Sequence, residues 1–182
     1  MTDIKHPSVT QIISPWADFS MIKPDVLERA AARGTKVHQI CAAIATGLWV
    51  PSVPEECQGY IDSFRRWWDL VETVHIVEEE IIDETYGFLG HMDICCTLKN
   101  EESPVVVDHK TPIAQQKSWK LQLAAYHRLA EIRGFSCNRV FSLRLKKDGS
   151  LPIADECKDI DQHFNIFLGA LSAYKYFNPR RD

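Results

Sequence analysis

Asp93, Asp108 and Lys110 are the residues of this chain whose types and spacing suit chemistry on a charged substrate. Asp108 and Lys110 end the apolar run Val105-Val-Val107 as Asp-x-Lys, and Asp93 follows the glycine-bearing stretch Gly87-Phe-Leu-Gly90-His-Met. Two neighbouring carboxylates repel unless a cation lies between them. Carboxylate oxygens with retained waters are the ligands that magnesium and manganese prefer. An ammonium two residues beyond the second acid can hold or polarise a water beside such an ion. These are the parts of metal-assisted phosphodiester hydrolysis. An Asp-x-Lys alone says little, because acids and lysines are common on surfaces. Its setting says more: the run before it reads as a buried strand, where an unused charge pair is costly. Glycines at 87 and 90 would let backbone or substrate approach closely.

Strands must hold these groups together. Segments 74–83, 88–98 and 105–111 have strand character, with Pro104 opening the third and Lys99 to Ser103 forming a polar connection. Side chains alternate along a strand, so Asp108 and Lys110 share a face while His109 points away. His91, Asp93 and Cys95 share a face on the preceding strand, and pairing the two strands brings Asp93 close to Asp108.

Other elements follow in order. Residues 7–13 read as a short extended lead-in before the turn at Ser14-Pro15. A helix from Pro24 to about Thr46, stopped by Gly47, has an apolar face of Leu27, Ala30, Ala31, Val37, Ile40, Cys41 and Ile44. Gly34 within it suggests a close approach, and His38 lies one turn further along the same face. Ser52-Val-Pro-Glu55 is a capping box for a helix to about Thr73, whose aromatic residues Tyr60, Phe64, Trp67 or Trp68 recur at helical spacing. Arg65-Arg66-Trp67-Trp68 could suit single-stranded nucleic acid, but a core stripe beside a solvated face is the favoured reading. A helix over 115–133 closed by Gly134, a strand over 140–146, a turn at Asp148-Gly149, a strand over 151–154 and a helix over 158–177 complete the chain. That order makes a single domain over residues 1–182, of the α/β or α+β type, with a small mixed β-sheet flanked by helices.

Bulk properties narrow the field. A chain of 182 residues suffices for one sizeable core. Apolar stretches are far too short to span a membrane, so no membrane partner is expected. The opening Met1-Thr-Asp-Ile-Lys-His-Pro lacks the apolar region of a signal peptide, so a cytoplasmic protein is expected. Six cysteines without a C-x-x-C pair read as reduced, mostly buried thiols. A net charge of −4 argues against electrostatic coating of nucleic acid but not against a nuclease, since bound cations invert the local field.

With these residues in view, the sequence resembles the PD-(D/E)XK nuclease superfamily, and within it the RecB-like and mitochondrial genome maintenance exonucleases and small phage-type relatives. The resemblance covers residues 7–126 and rests on ordered motifs: Pro7-Ser-Val-Thr10, Arg33-Gly-Thr-Lys-Val-His38, Tyr86-Gly-Phe-Leu-Gly-His-Met-Asp93, Val107-Asp-His-Lys-Thr111 and Gln122-x-x-x-Tyr126. It implies a restriction-endonuclease-like α/β core and a bacterial or phage-encoded DNA exonuclease using one or two Mg2+ or Mn2+ ions. Asp93 and Asp108 would hold metal, with His38 as a third ligand and the His109 backbone carbonyl as a fourth. Lys110 would orient the attacking water and stabilise charge on the phosphate. Gln122 and Tyr126 would contact the site or the DNA backbone. Glu78, within Val77-Glu-Glu-Glu80, stands where relatives often carry an acid, and three adjacent glutamates leave open which one faces inward.

Two features depart from the pattern. Cys137 and Cys157 lack the close spacing of the iron–sulfur cluster that some relatives carry, so no cluster is expected. His91 occupies a position that is commonly small, and it reads as a bystander.

Taken alone, His38 would be a satisfied core histidine, and only the ordered acids and lysine favour a ligand. Trp119 suits the core as well as a base stack. Lys117, Lys120, Lys146, Lys147, Arg180 and Arg181 read as solvated surface. The favoured function is a DNA exonuclease or end-processing enzyme in DNA processing, recombination or repair, acting on single- or double-stranded DNA, with a recombination or replication protein as a possible partner. An endonuclease of the same chemistry and a non-catalytic binding or assembly protein are the alternatives. A zinc hydrolase using His38, His91 and His109 lacks any supporting motif. Oligomeric state, polarity and strand preference are left open.

Overall fold

The computed structural model describes residues 6–17, 22–50, 52–112 and 115–179. Residues 1–5 of the N-terminal segment, and Arg180 and Arg181, lie outside them. Helices α1 (Val9–Ile13), α2 (Pro24–Ala45) and α3 (Glu55–Trp68) precede a meander of β1 (Val71–Asp83), β2 (Phe88–Leu98) and β3 (Val105–Lys110). Helix α4 (Ser118–Ile132), strands β4 (Arg139–Arg144) and β5 (Ile153–Glu156), and helix α5 (Ile160–Phe177) follow. The five strands form one sheet in the order β1-β2-β3-β4-β5, parallel only between β3 and β4. A parallel neighbour needs a crossover, and α4 supplies it. The protein is therefore α/β, a small mixed sheet flanked by helices.

Strand alternation gives the sheet two buried faces. Cys95, Val106 and Val140 pack under α1, α4 and α5 with Val9, Leu123, Leu129 and Phe167. Ile94, Cys96, Val107 and Phe141 pack under α2 and α3 with Val37, Cys41, Phe64 and Trp67. Adjacent Cys95 and Cys96 thus enter opposite cores, as a strand requires. All six cysteines are free and buried. The aromatic side chains of α3 are core: Tyr60, Phe64 and Trp67 are buried.

Several expectations are corrected. The lead-in is not extended: Ser8 caps α1, its side chain accepting from the Gln11 amide while the Gln11 side chain accepts from the Ser8 amide. Helix α3 begins at Glu55 with no side-chain cap, and it ends at Trp68, not near Thr73, because Val71 already joins the sheet. Only Val37 and Cys41 of the α2 face are fully buried, so its N-terminal half lies over solvent. Gly34 is not a site of close approach either. A Cβ there would sit 3.7 Å from Thr111 Oγ1, an ordinary contact.

Candidate metal centre

The last paired rung between β2 and β3 is Ile94 with Val107, and one step beyond it come Asp93 and Asp108. The two acids therefore face each other where the ladder opens. Asp93 Oδ2 takes up a freed backbone donor, accepting from the His109 N–H at 2.7 Å. Both acids are buried, at 6% and 1% exposure.

On its other edge β2 meets an irregularity in β1. Glu78 stands between the pairs Val77–Ile94 and Glu79–Met92, opposite Asp93, with φ of 47°. A non-glycine residue in this region carries about 1–3 kcal/mol of strain, and such residues gather at functional sites. The phase of β2 changes here as well. Met92 and Cys95 both enter the core under α4, although strict alternation would separate them. His91 and Cys95 therefore occupy opposite faces, contrary to the alternation argument. The question of the three glutamates is also resolved. Glu78 lies 3.1 Å from His91 Nε2 and 3.9 Å from His38 Nδ1, Glu79 pairs with Arg133, and Glu80 is exposed.

Helix α2 brings His38 to the sheet end, its Nδ1 3.2 Å from Asp93 Oδ2. Burial alone would lower the His38 pKa, but the Asp93 carboxylate outweighs it and raises the pKa to about 9. Burial pushes Asp93 up, yet the attraction and hydrogen bond of His38 hold it below the ordinary carboxylate range. Asp108 behaves in the opposite way: burial and the neighbouring Asp93 carboxylate outweigh Lys110 and push it up to about 6. One lysine and one imidazolium do not fully satisfy this cluster.

Helix α4 positions Lys110. The ammonium lies 2.6 Å from Asp108 Oδ2, donates to Gln122 Oε1 at 2.9 Å, and sits 5.6 Å from the centre of the Trp119 ring. Gln122 Nε2 donates in turn to the Tyr126 hydroxyl at 3.0 Å. Gln122 and Tyr126, four residues apart, are buried at 5% and 3% exposure, and their polar ends lead to Lys110. Trp119 is also buried. Gly90 makes this approach possible. A Cβ there would lie 2.5 Å from Leu129 Cδ1 and 2.9 Å from Tyr126 Cε1, distances that real side chains do not tolerate.

The His109 ring enters the core beneath α3, edge-on to Phe64 at 5.0 Å between ring centres. Burial lowers its pKa to about 4. Its Nδ1 nevertheless comes within 3.7 Å of Asp93 Oδ2. Ligand atoms of His38, Asp93 and His109 all lie within 4.8 Å of one another. Alternation could not reveal this approach, which depends on Asp93 turning at the open end of the ladder. His91 is half-exposed and meets Glu78.

The donor set fits a divalent cation. Two buried carboxylates, one with a raised pKa, leave negative charge that a cation would compensate, and an imidazole stands beside them. Among the described residues, His38, Asp93 and His109 bring ligand atoms close enough together to hold one, with Asp108 beside them.

No family model matches this chain, and no curated protein matches it. Among solved structures it is similar to an alkaline exonuclease, LHK-Exo, from Laribacter hongkongensis, at 13% identity and a TM-score of 0.43, over 95% of this chain and 91% of that one. It is similar to the complex of LHK-Exo with dAMP at 15% identity and a TM-score of 0.41, over the same 95% and 91%.

Proposed function

We propose that this protein is a divalent-metal-dependent DNA exonuclease, using Mg2+ or Mn2+ to hydrolyse phosphodiester bonds in DNA processing, recombination or repair in the cytoplasm. The observation that carries the reading is the opposed pair Asp93 and Asp108 at the open end of the β2–β3 ladder, with Lys110 paired to the second acid. His38, Asp93, Asp108 and the His109 carbonyl would hold the ion. When bound, such an ion would supply Lewis acidity, polarising the phosphate and lowering the pKa of the attacking water. Lys110, held between Asp108 and Gln122, orients that water and stabilises charge developing on the phosphate oxygens. Tyr126 and Trp119 keep the ammonium in place. Glu78, close to His38 and paired with His91, contacts the substrate strand. The exonuclease mode rests on the ordered motifs between Pro7 and Tyr126 and their resemblance to RecB-like exonucleases.

The test uses end-labelled linear single- and double-stranded DNA and closed circles, incubated with Mg2+, Mn2+ or EDTA. Exonuclease action releases mononucleotides or short oligomers from linear DNA and leaves circles intact. Nicked circles would favour an endonuclease. Failure to cut any substrate with either metal, together with unchanged DNA binding by Lys110→Ala, would leave only a binding role.

A further inference from the structure

Helix α5 (Ile160–Phe177) is apolar on two faces, and the protein covers one of them. Phe167, Ala170 and Leu171 are buried in the core shared with α1 and α4. Ile166, Gly169, Ala173 and Tyr176 line the opposite face at alternating spacings of three and four residues, the pattern of a coiled-coil seam. Ile166 is 50% exposed, Tyr176 79% and Phe177 77%. Asn165 and Ser172, on the same face, are uncharged. A helix that borders solvent ordinarily turns charges outward, and one that is apolar all round is buried. Gly169 stands at the middle of the uncovered face. Glycine weakens a helix relative to alanine, and a Cβ at this position would meet nothing within 4 Å. Packing inside the protein therefore gives no reason for it, unlike Gly90. A bare backbone here admits the close crossing of another helix.

Charge indicates which helix that is. Asp161 is the only carboxylate of α5 and Lys175 its only ammonium. Residues 161 and 175 are two heptads apart, so they lie on the same side of the helix. Their midpoint is Leu168, next to Gly169. A second α5 running antiparallel across Gly169 sets Asp161 against the copy's Lys175 at one end and repeats the pair at the other. A parallel copy would set like charges together. Lys175 donates to the Tyr86 carbonyl at 2.7 Å, which leaves it two further donors for a carboxylate. Shape agrees with charge, because bulky Tyr176 and Phe177 at one end then lie over the smaller Gln162 and Asn165 of the copy.

We propose that the outer face of α5 is a docking surface for a second copy of this chain, the two helices crossing antiparallel at Gly169 on a two-fold axis. A tyrosine or phenylalanine side chain offers roughly 150–250 Å2. Two of them per helix, with Ile166 and the small residues between, give about 500 Å2 per copy and about 1,000 Å2 in the pair, where specific interfaces begin. The pairing is accordingly weak and reversible. It involves no residue of the metal centre and does not rest on the nuclease reading.

Sedimentation velocity on the full chain, over roughly 1–300 µM, tests this. It shows a monomer–dimer equilibrium with a Kd on the order of 10 µM. Gly169→Glu adds a side chain where the fold leaves open space, so circular dichroism and melting temperature stay close to the parent. It brings two carboxylates together at the axis and weakens the dimer at least about tenfold. Asp161→Lys weakens it several-fold, and combining Asp161→Lys with Lys175→Glu restores it. A chain that stays monomeric at the highest concentration overturns the proposal. So does an oligomer that Gly169→Glu leaves intact, which would place the contact elsewhere on the surface. A dimer lost in Gly169→Glu but not restored by the double reversal, with the fold intact, overturns the antiparallel crossing.

Discussion

Lys110 is the most tightly specified side chain at the centre. A lysine has three donors on a flexible stem, and its entropy must be overcome before it can act from one position. Here the Asp108 carboxylate lies 2.6 Å from the ammonium, Gln122 accepts from it, and the Trp119 ring centre is 5.6 Å away. Gln122 is itself fixed by the Tyr126 hydroxyl. Gln122→Leu fills similar space but removes the acceptor, so Lys110 swings on Asp108 alone. The expected result is a fall in kcat of roughly 10–100-fold with little change in metal affinity, since displacement of about 1 Å at a reacting centre costs that much. Steady-state kinetics and metal titration by calorimetry check it, and an unchanged kcat would show that Gln122 does not position the lysine. The Gln-x-x-x-Tyr spacing was visible in the sequence, because positions four apart share a helix face. What it was for was not visible. The spacing says that the two residues meet, and only the register of α4 on the sheet shows that they meet at Lys110.

At the scale of elements, the site depends on how closely α4 and α2 approach opposite sides of the strand end. Gly90 controls the first approach. Gly90→Val would drive two methyl groups into Leu129, Tyr126 and Val9, and overpacking of this kind costs about 1–3 kcal/mol. Denaturant unfolding should show that loss. Activity should fall further than the unfolded fraction explains, because displacing Tyr126 loosens Gln122 and Lys110; activity lost only in proportion to folding would contradict the coupling. Much of this architecture was legible. The strands read over 88–98 and 105–111 follow from their apolar runs, the polar connection between them and Pro104, and β3 ends one residue earlier at Lys110; the α2 and α4 spans follow from Pro24 and Gly134 as punctuation. The misreadings were at boundaries and phases. Helix α1 was hidden because Ser8-x-x-Gln11 is a capping box on a helix of only five residues, too short for periodicity to register. The phase change at Asp93 was hidden because it comes from β1. The left-handed Glu78 on the neighbouring strand has no signature in a run of three glutamates.

At the scale of the whole molecule, folding gathers more charge at the centre than the sheet end can neutralise, so stability and metal binding are linked through pH. His38 has its pKa raised from an ordinary 6.5 to about 9 in the folded state. A raised pKa contributes stability that is full below about pH 6.5 and is lost as pH rises through about 9. The neighbouring groups do not vary over pH 7–8.5: Asp93 is held below the ordinary carboxylate range, the raised Asp108 contribution is already lost above about 6, and His109 is lowered to about 4. Metal-free protein in EDTA should therefore lose roughly 1–2 kcal/mol between pH 7 and 8.5, a drop of a few degrees in Tm for a chain this size. His38→Gln removes most of that slope. A cation held by His38 would remove that slope, because His38 must give up its proton to become a ligand and metal affinity then climbs with pH. With Mn2+ at about a hundred times its Kd, stabilisation is about 2.7 kcal/mol, so the gap in Tm between Mn2+ and EDTA widens from pH 7 to 8.5. Thermal melts across that range decide the matter. A gap that is constant with pH, or equally pH-dependent in His38→Gln, would remove His38 from the ligand set and leave the two aspartates to hold the ion without it.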